Sequence, residues 1–267
     1  MWDLEQRVVP VPLSLPGAEY ATFDLDPSRV LVCRGGEVWS MPWPERVGNG
    51  KRQIVARGTG FWGATVSRAS GRIALADHKG NSVQVLDSQG RRWRTLGPVE
   101  LPGYVGFSPD GRWLATVGGR DLWVWDLEAP DSGMRRFEGG EPAPRFSPDG
   151  RWLLTLGREA RTWRVGTWEA GESLPLTAQA PGYMAAAFSP DSRWLAVTQN
   201  EREVHWIDFE ARRLVSILEG PGEGRILDLA FSPDGARLAV ARERGEVQMW
   251  NLGILREELR SRSLDWE

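Results

Sequence analysis

Phe107-Ser108-Pro109-Asp110-Gly111-Arg112-Trp113-Leu114 returns as Phe146-Ser147-Pro148-Asp149-Gly150-Arg151-Trp152-Leu153, again as Phe188-Ser189-Pro190-Asp191-Ser192-Arg193-Trp194-Leu195, and as Phe231-Ser232-Pro233-Asp234-Gly235. Two weaker copies precede them, Phe23-Asp24-Leu25-Asp26-Pro27-Ser28-Arg29 and Val66-Ser67-Arg68-Ala69-Ser70-Gly71-Arg72, each with one extra residue in the turn. The anchors Phe23, Val66, Phe107, Phe146, Phe188 and Phe231 are 43, 41, 39, 42 and 43 residues apart. A repeat of this period overrides local readings of secondary structure.

Within each period the chemistry is that of short strands. Proline presets the first corner of a tight turn, aspartate bonds back to the backbone, and glycine tolerates the positive φ that closes it. Arg112 to Val117 then supplies a run suited to a pleated, buried surface. After a glycine-rich or charged break, a second run ends alike each time, as in Val124-Trp125-Asp126-Leu127, Trp206-Ile207-Asp208-Phe209 and Met249-Trp250-Asn251-Leu252. Four short strands per unit, with no stretch of helical period, is the signature of a propeller blade. The expected fold is therefore all-β: a six-bladed β-propeller of four-stranded antiparallel blades.

The repeats resemble those of the WD40 family, with Phe-Ser-Pro-Asp-Gly corners and Trp-Asp endings over nearly the whole chain. That resemblance implies a propeller acting as a platform for other macromolecules. The family's Gly-His pair near the start of each repeat is missing here, which removes the usual buried histidine network and keeps TolB-like propellers as the runner-up.

The termini suggest how the ring closes. Asp3 to Pro16-Gly17 aligns with Asp208 to Pro221-Gly222, with thirteen residues from aspartate to proline in both. Arg7 to Leu13 is then expected as the outer strand of the sixth blade, where Pro10 and Pro12 suit an edge. Residues 1–252 read as the propeller. Residues 253–267 form a tail with a helix-like segment, Leu255 to Arg260.

Composition narrows the function classes. With 33 basic and 36 acidic residues among 267, and a net charge of −3, the chain has no electrostatic footprint for coating nucleic acid or an anionic membrane. Cys33 is the single cysteine, so there is no internal disulfide and no cysteine-rich metal site. The start at Met1-Trp2-Asp3 lacks the basic and apolar regions of a signal peptide, and a cytoplasmic location is expected.

No catalytic constellation emerges. His78 and His205 are the only histidines; they fall in different blades, and neither has a partner at zinc-site spacing. The repeated serines read as turn chemistry, and none lies in a Gly-x-Ser-x-Gly elbow. Gly58-Thr59-Gly60-Phe61-Trp62-Gly63 matches a dinucleotide pattern but joins two strands of successive blades, where the required helix is missing, and reads as a loop. Asp24 and Asp26 sit in a turn, too few for a cation. Trp113, Trp125, Trp152, Trp163, Trp194, Trp206 and Trp250 read as packing. No cofactor is implied.

Two sets of residues suit recognition. Tyr20, Tyr104 and Tyr183 each follow a Pro-Gly at the entry to a first strand, with Trp62 in a similar place. They form either an aromatic collar at the channel mouth or caps on their own blades. The breaks between second and third strands, expected on the same face, carry Arg34, Lys79, Arg120, Arg158, Arg202, and Arg242 with Arg244. Acids accompany them at Asp77, Asp121, Glu159, Glu201 and Glu243, so the loops are either a solvated surface or, where the cations outreach the acids, a site for an acidic peptide. The leading reading is a non-catalytic scaffold that binds a partner protein or peptide. The alternatives are a propeller-type hydrolase or lyase at the channel mouth, with Asp228 on the innermost strand of blade six as the acid of interest, and a module of a larger assembly.

Overall fold

The computed structural model describes residues 20–26, 29–34, 36–42, 52–129, 133–138, 144–156, 160–172, 174, 176, 185–219, 225–242 and 247–254. The closing strand expected over 7–13 and the tail segment 255–260 lie outside the described residues. The chain divides at Phe146–Ser147 into two compact units.

The unit ending at Phe146 holds three four-stranded antiparallel sheets, each a meander in chain order. The first is β1 (Tyr20–Phe23), β2 (Arg29–Arg34), β3 (Glu37–Pro42) and β4 (Gln53–Arg57). The second is β5 (Phe61–Ser67), β6 (Arg72–Asp77), β7 (Ser82–Leu86) and β8 (Arg92–Leu96). The third is β9 (Val105–Phe107), β10 (Trp113–Gly118), β11 (Asp121–Asp126) and β12 (Met134–Glu138).

The fourth sheet has β13 (Arg145–Phe146), β14 (Trp152–Leu156) and β15 (Ala160–Arg164). The fifth has β16 (Ala186–Phe188), β17 (Trp194–Thr198), β18 (Glu203–Asp208) and β19 (Arg213–Glu219). The sixth has β20 (Ile226–Phe231), β21 (Arg237–Arg242) and β22 (Val247–Asn251).

The fourth sheet departs from the expected four strands. After β15 the backbone turns left-handed at Gly166 (φ +94°) and Trp168 (φ +62°), and Trp168 is buried. Among the described residues the returning chain makes a single bridge, Ala170 with Trp163, in place of a fourth strand.

The repeated corners explain themselves locally. In all four strong copies the serine hydroxyl donates to the aspartate two residues on and accepts the N–H five residues on; at Ser147 these bonds are 2.6 Å to Asp149 and 2.9 Å from Trp152. The serine carbonyl also accepts the N–H three residues on, from Gly111, Gly150, Ser192 and Gly235, all at positive φ. The corner arginine can reach the strand ending: Arg112 Nη2 donates to Asp126 Oδ2 at 2.7 Å. Turn chemistry thus fully accounts for the serines, as the sequence implies.

The core lies between sheets. Successive side chains of a strand point to opposite faces, so Ile73 and Leu75 of β6 join a cluster with Leu31, Val38 and Phe61, while Ala74 and Ala76 join Val105, Leu114 and Trp125. The same division splits β17: Leu195 and Val197 pack with Leu154 and Phe188, Trp194 and Ala196 with Trp250 and Leu238. Sheets buried on both faces read as continuous apolar runs for this reason. Trp125, Trp194, Trp206 and Trp250 are buried, whereas Trp113, Trp152 and Trp163 are half-buried. Cys33 is free and buried, and no described helix is long and apolar enough to cross a membrane.

Candidate interaction surface on the loops of the second and third sheets

Asp77, at the end of β6, organises one edge of the second sheet. Its carboxylate is 4% exposed and accepts from Thr59 Oγ1 at 2.7 Å, from the N–H groups of Gly60 and Gly80 at 3.1 Å, and from Gln84 Nε2 at 3.2 Å. A buried carboxylate needs such donors. The bonds tie the β4–β5 link to the β6–β7 turn, and His78 N donates to Gly60 O at 2.8 Å across the same gap. Two glycines of the dinucleotide-like pattern therefore serve close packing: a Cβ at Gly58 would strike the Phe61 ring and Asp77, and one at Gly63 would stand 2.7 Å from the Gly103 carbonyl. Only Gly58-Thr59-Gly60 is a link from β4; Phe61-Trp62-Gly63 opens β5, so the loop reading holds for the first half of the stretch alone.

On this frame the imidazole of His78 stacks under Trp62, with centroids 4.6 Å apart and planes inclined by 15°. His78 Nδ1 lies 3.2 Å from the Pro102 carbonyl. A carbonyl only accepts, so Nδ1 is the donor and the tautomer is set. Asn81 holds the approach to the third sheet, its carbonyl accepting Val99 N and its side-chain oxygen accepting Leu101 N, both at 2.9 Å. The outcome is a Trp62 that is 53% exposed with one face of its indole covered by His78; Leu101, beside Pro102, is 50% exposed.

The predicted site residues divide by placement. A Cβ at Gly63, next to Trp62, would stand 3.6 Å from Tyr104 Cα, which sets the two backbones side by side at the junction of the second and third sheets, and the half-buried Tyr104 accepts Thr116 Oγ1 on its carbonyl at 2.7 Å. Lys79 is exposed and lies over Gly60. Arg120 is exposed at φ +82° in the β10–β11 turn. Arg34 is exposed at the end of β2, opposite Glu37. The backbone of Tyr20 pairs with Cys33 in the first sheet.

In the other unit, Arg202 is exposed in a turn that Asn200 caps, its Oδ1 accepting the N–H groups of Arg202 and Glu203 at 2.9 and 2.8 Å. Tyr183, Arg158 and Arg244 lie outside the described residues. Arg242, counted among the loop cations by sequence, is 1% exposed at the end of β21 and is not on a surface. Its place in the strand register opposite Ile226 draws the side chain inward. Asp228 is exposed, not buried, and accepts Leu229 N at 3.0 Å beside a bulge in β20. Asp24 is buried, accepting Leu25 N at 2.6 Å and the hydroxyl of Ser40, which places it in a structural turn.

The acids that accompany the loop cations are not equivalent. Asp77 is consumed by its own loop. Asp121, 8% exposed, accepts Arg136 Nε at 2.7 Å. Lys79 and Arg120 are therefore the outward cations of these two turns, with the exposed Glu100 carboxylate against Gly119 beside the second. Sequence reading missed His78, Leu101 and Pro102, because a histidine judged by zinc spacing gives no sign of a ring stack 16 residues upstream.

The family model described as "WD domain, G-beta repeat" matches residues 104–126 and 212–251. A solved structure titled "Kuenenia stuttgartiensis Hydrazine Synthase" superposes with a TM-score of 0.74 at 18% identity, covering 96% of this chain and 84% of that one. No curated protein matches by sequence. The fold class is thus a six-bladed β-propeller, and the chain carries WD40 repeats at the two matched places. At that identity the structural likeness speaks for the fold alone.

Proposed function

We propose that this chain is a non-catalytic protein-interaction scaffold that receives a partner protein or peptide on the surface built from Trp62, His78, Lys79, Leu101, Tyr104 and Arg120. The observation that carries the reading is the half-exposed indole of Trp62 held flat on His78. A large aromatic that is already immobilised buries area on binding with little further entropy loss, the property that makes tryptophan an anchor in interfaces. Lys79 and Arg120 point outward while Asp77 and Asp121 are engaged, so the preferred partner is an acidic peptide or acidic loop.

Comparative capture tests this. Wild type, Trp62→Ala and the Lys79→Glu/Arg120→Glu pair are used as bait, with Trp93→Ala, another exposed tryptophan, as the control. Partners recovered with wild type and Trp93→Ala should fall at least about tenfold with the other two, corresponding to the loss of one anchor. Equal recovery from all four baits removes the proposal.

A further inference from the structure

A second site stands in the unit that begins at Ser147. A cleft of about 450 Å³ opens between the fourth and fifth sheets. Its floor is aromatic: the half-buried Trp152 and the buried Phe209 meet edge to face at 6.1 Å. The Arg212 guanidinium lies over both rings, 5.1 Å from the Trp152 centroid and 4.2 Å from that of Phe209.

The cations of this cleft differ in what they bond. Arg151 Nε donates to Asp149 at 2.6 Å, and Arg193 lies 4.6 Å over Trp194 with Nε 3.9 Å from Asp208. Arg212 Nη1 is buried and has no hydrogen-bond partner among the described residues. Burial lowers the Arg212 pKa from the usual arginine value, while the Glu172 carboxylate acts the other way. A half-buried guanidinium with an unmet N–H is an acceptor-seeking group.

Two of the left-handed residues other than glycine fall here. The turn between third and fourth strands of the second sheet uses Gly90 for its left-handed residue (φ +75°); the fifth sheet uses Arg212 (φ +52°). Three Ser-Pro-Asp corners place glycine at their left-handed position, and the fourth places Ser192 (φ +63°). Both exceptions line this cleft. Ser192 Oγ accepts Asp149 N at 2.9 Å, which leaves its hydroxyl proton to donate. A side chain kept where glycine is sterically cheaper is a mark of use beyond the turn.

We propose that this cleft binds an organic carboxylate, its charge taken by Arg212 with help from Ser192 and its apolar body lying against Trp152 and Phe209. Glu172, Asp191 and Glu210 also line the cleft, and with Arg151 and Arg193 drawn to Asp149 and Asp208 only Arg212 is left to meet an anion, so a singly charged group is favoured over a phosphate dianion.

The test is a titration of the ¹⁵N-labelled full chain with phenylacetate, following the Trp152 indole and Arg212 guanidinium signals, with 2-phenylethanol and inorganic phosphate as comparisons. Phenylacetate should give saturable shifts, with the alcohol and phosphate at least about tenfold weaker. Arg212→Gly removes the charge and relieves the left-handed backbone, so it should lose binding while keeping or raising Tm. Glu172→Gln should tighten binding about threefold or more, and this variant decides the case if Arg212→Gly fails to fold. Absent saturation, equal binding of the alcohol, tighter binding of phosphate, retained binding in Arg212→Gly or unchanged affinity in Glu172→Gln each overturns the assignment.

Discussion

The indole of Trp62 rests on the imidazole of His78, 4.6 Å between centroids, and that imidazole is pinned by the Pro102 carbonyl 3.2 Å from Nδ1. An exposed ring is thereby supported on one face. The hydrogen bond fixes the plane of the histidine, and the histidine fixes the plane of the tryptophan.

Removing either ring should separate binding from stability. Trp62→Ala, at an exposed position, should change unfolding free energy by no more than about 0.5 kcal/mol. His78→Ala keeps the indole but releases its orientation, and partner affinity should drop by about three- to tenfold. Denaturant unfolding beside binding isotherms checks both.

Gly63 should not tolerate a side chain. A Cβ there would meet the Gly103 carbonyl at 2.7 Å, a backbone atom that cannot rotate away. Gly63→Ala should cost about 1–3 kcal/mol through overpacking, and the chemical shifts of Trp62 and Tyr104 should move with it.

The corner serines should matter more than their size suggests. Ser147→Ala removes a buried hydroxyl, leaving the Trp152 N–H without its side-chain acceptor and the exposed Asp149 carboxylate with one donor fewer beside Arg151. The expected loss is about 1–3 kcal/mol, read from the urea midpoint, and Ser147→Thr should recover part of it.

Asp126 should govern part of the acid limb. The hydrogen bond from Arg112 outweighs burial and holds its carboxyl below the usual range. A carboxyl lowered in the folded state adds stability that is complete above the unfolded value of about 4 and is lost as pH falls through the folded one. Asp126→Asn should therefore be less stable than wild type at neutral pH, and the gap should close on acidification below about pH 4. Thermal melts at a series of pH values measure this.

The six corners and the strands that leave them were legible in the chain because their bonds are local. Ser108 meets Asp110 and Trp113, two and five residues away, whatever the rest of the molecule does. The continuous apolar run Ile73-Ala74-Leu75-Ala76 likewise announces a strand buried on both faces. The fourth sheet was less legible, since its third strand ends on Arg164 where the third and fifth sheets have Asp126 and Asp208, before the left-handed turn at Gly166 and Trp168.

The recognition surfaces needed the tertiary structure. Sequence brought Trp62, Tyr104, Lys79 and Arg120 forward, but it could not tell that Asp77 and Asp121 turn inward and are spent, that His78 supports Trp62, or that Arg212 shares a cleft with Ser192. Strand period assigns a side chain to a face, whereas loop side chains follow no period. Their neighbours are set only when separate links, such as 58–60, 78–81 and 97–104, are brought to one edge by the packing of the sheets beneath them.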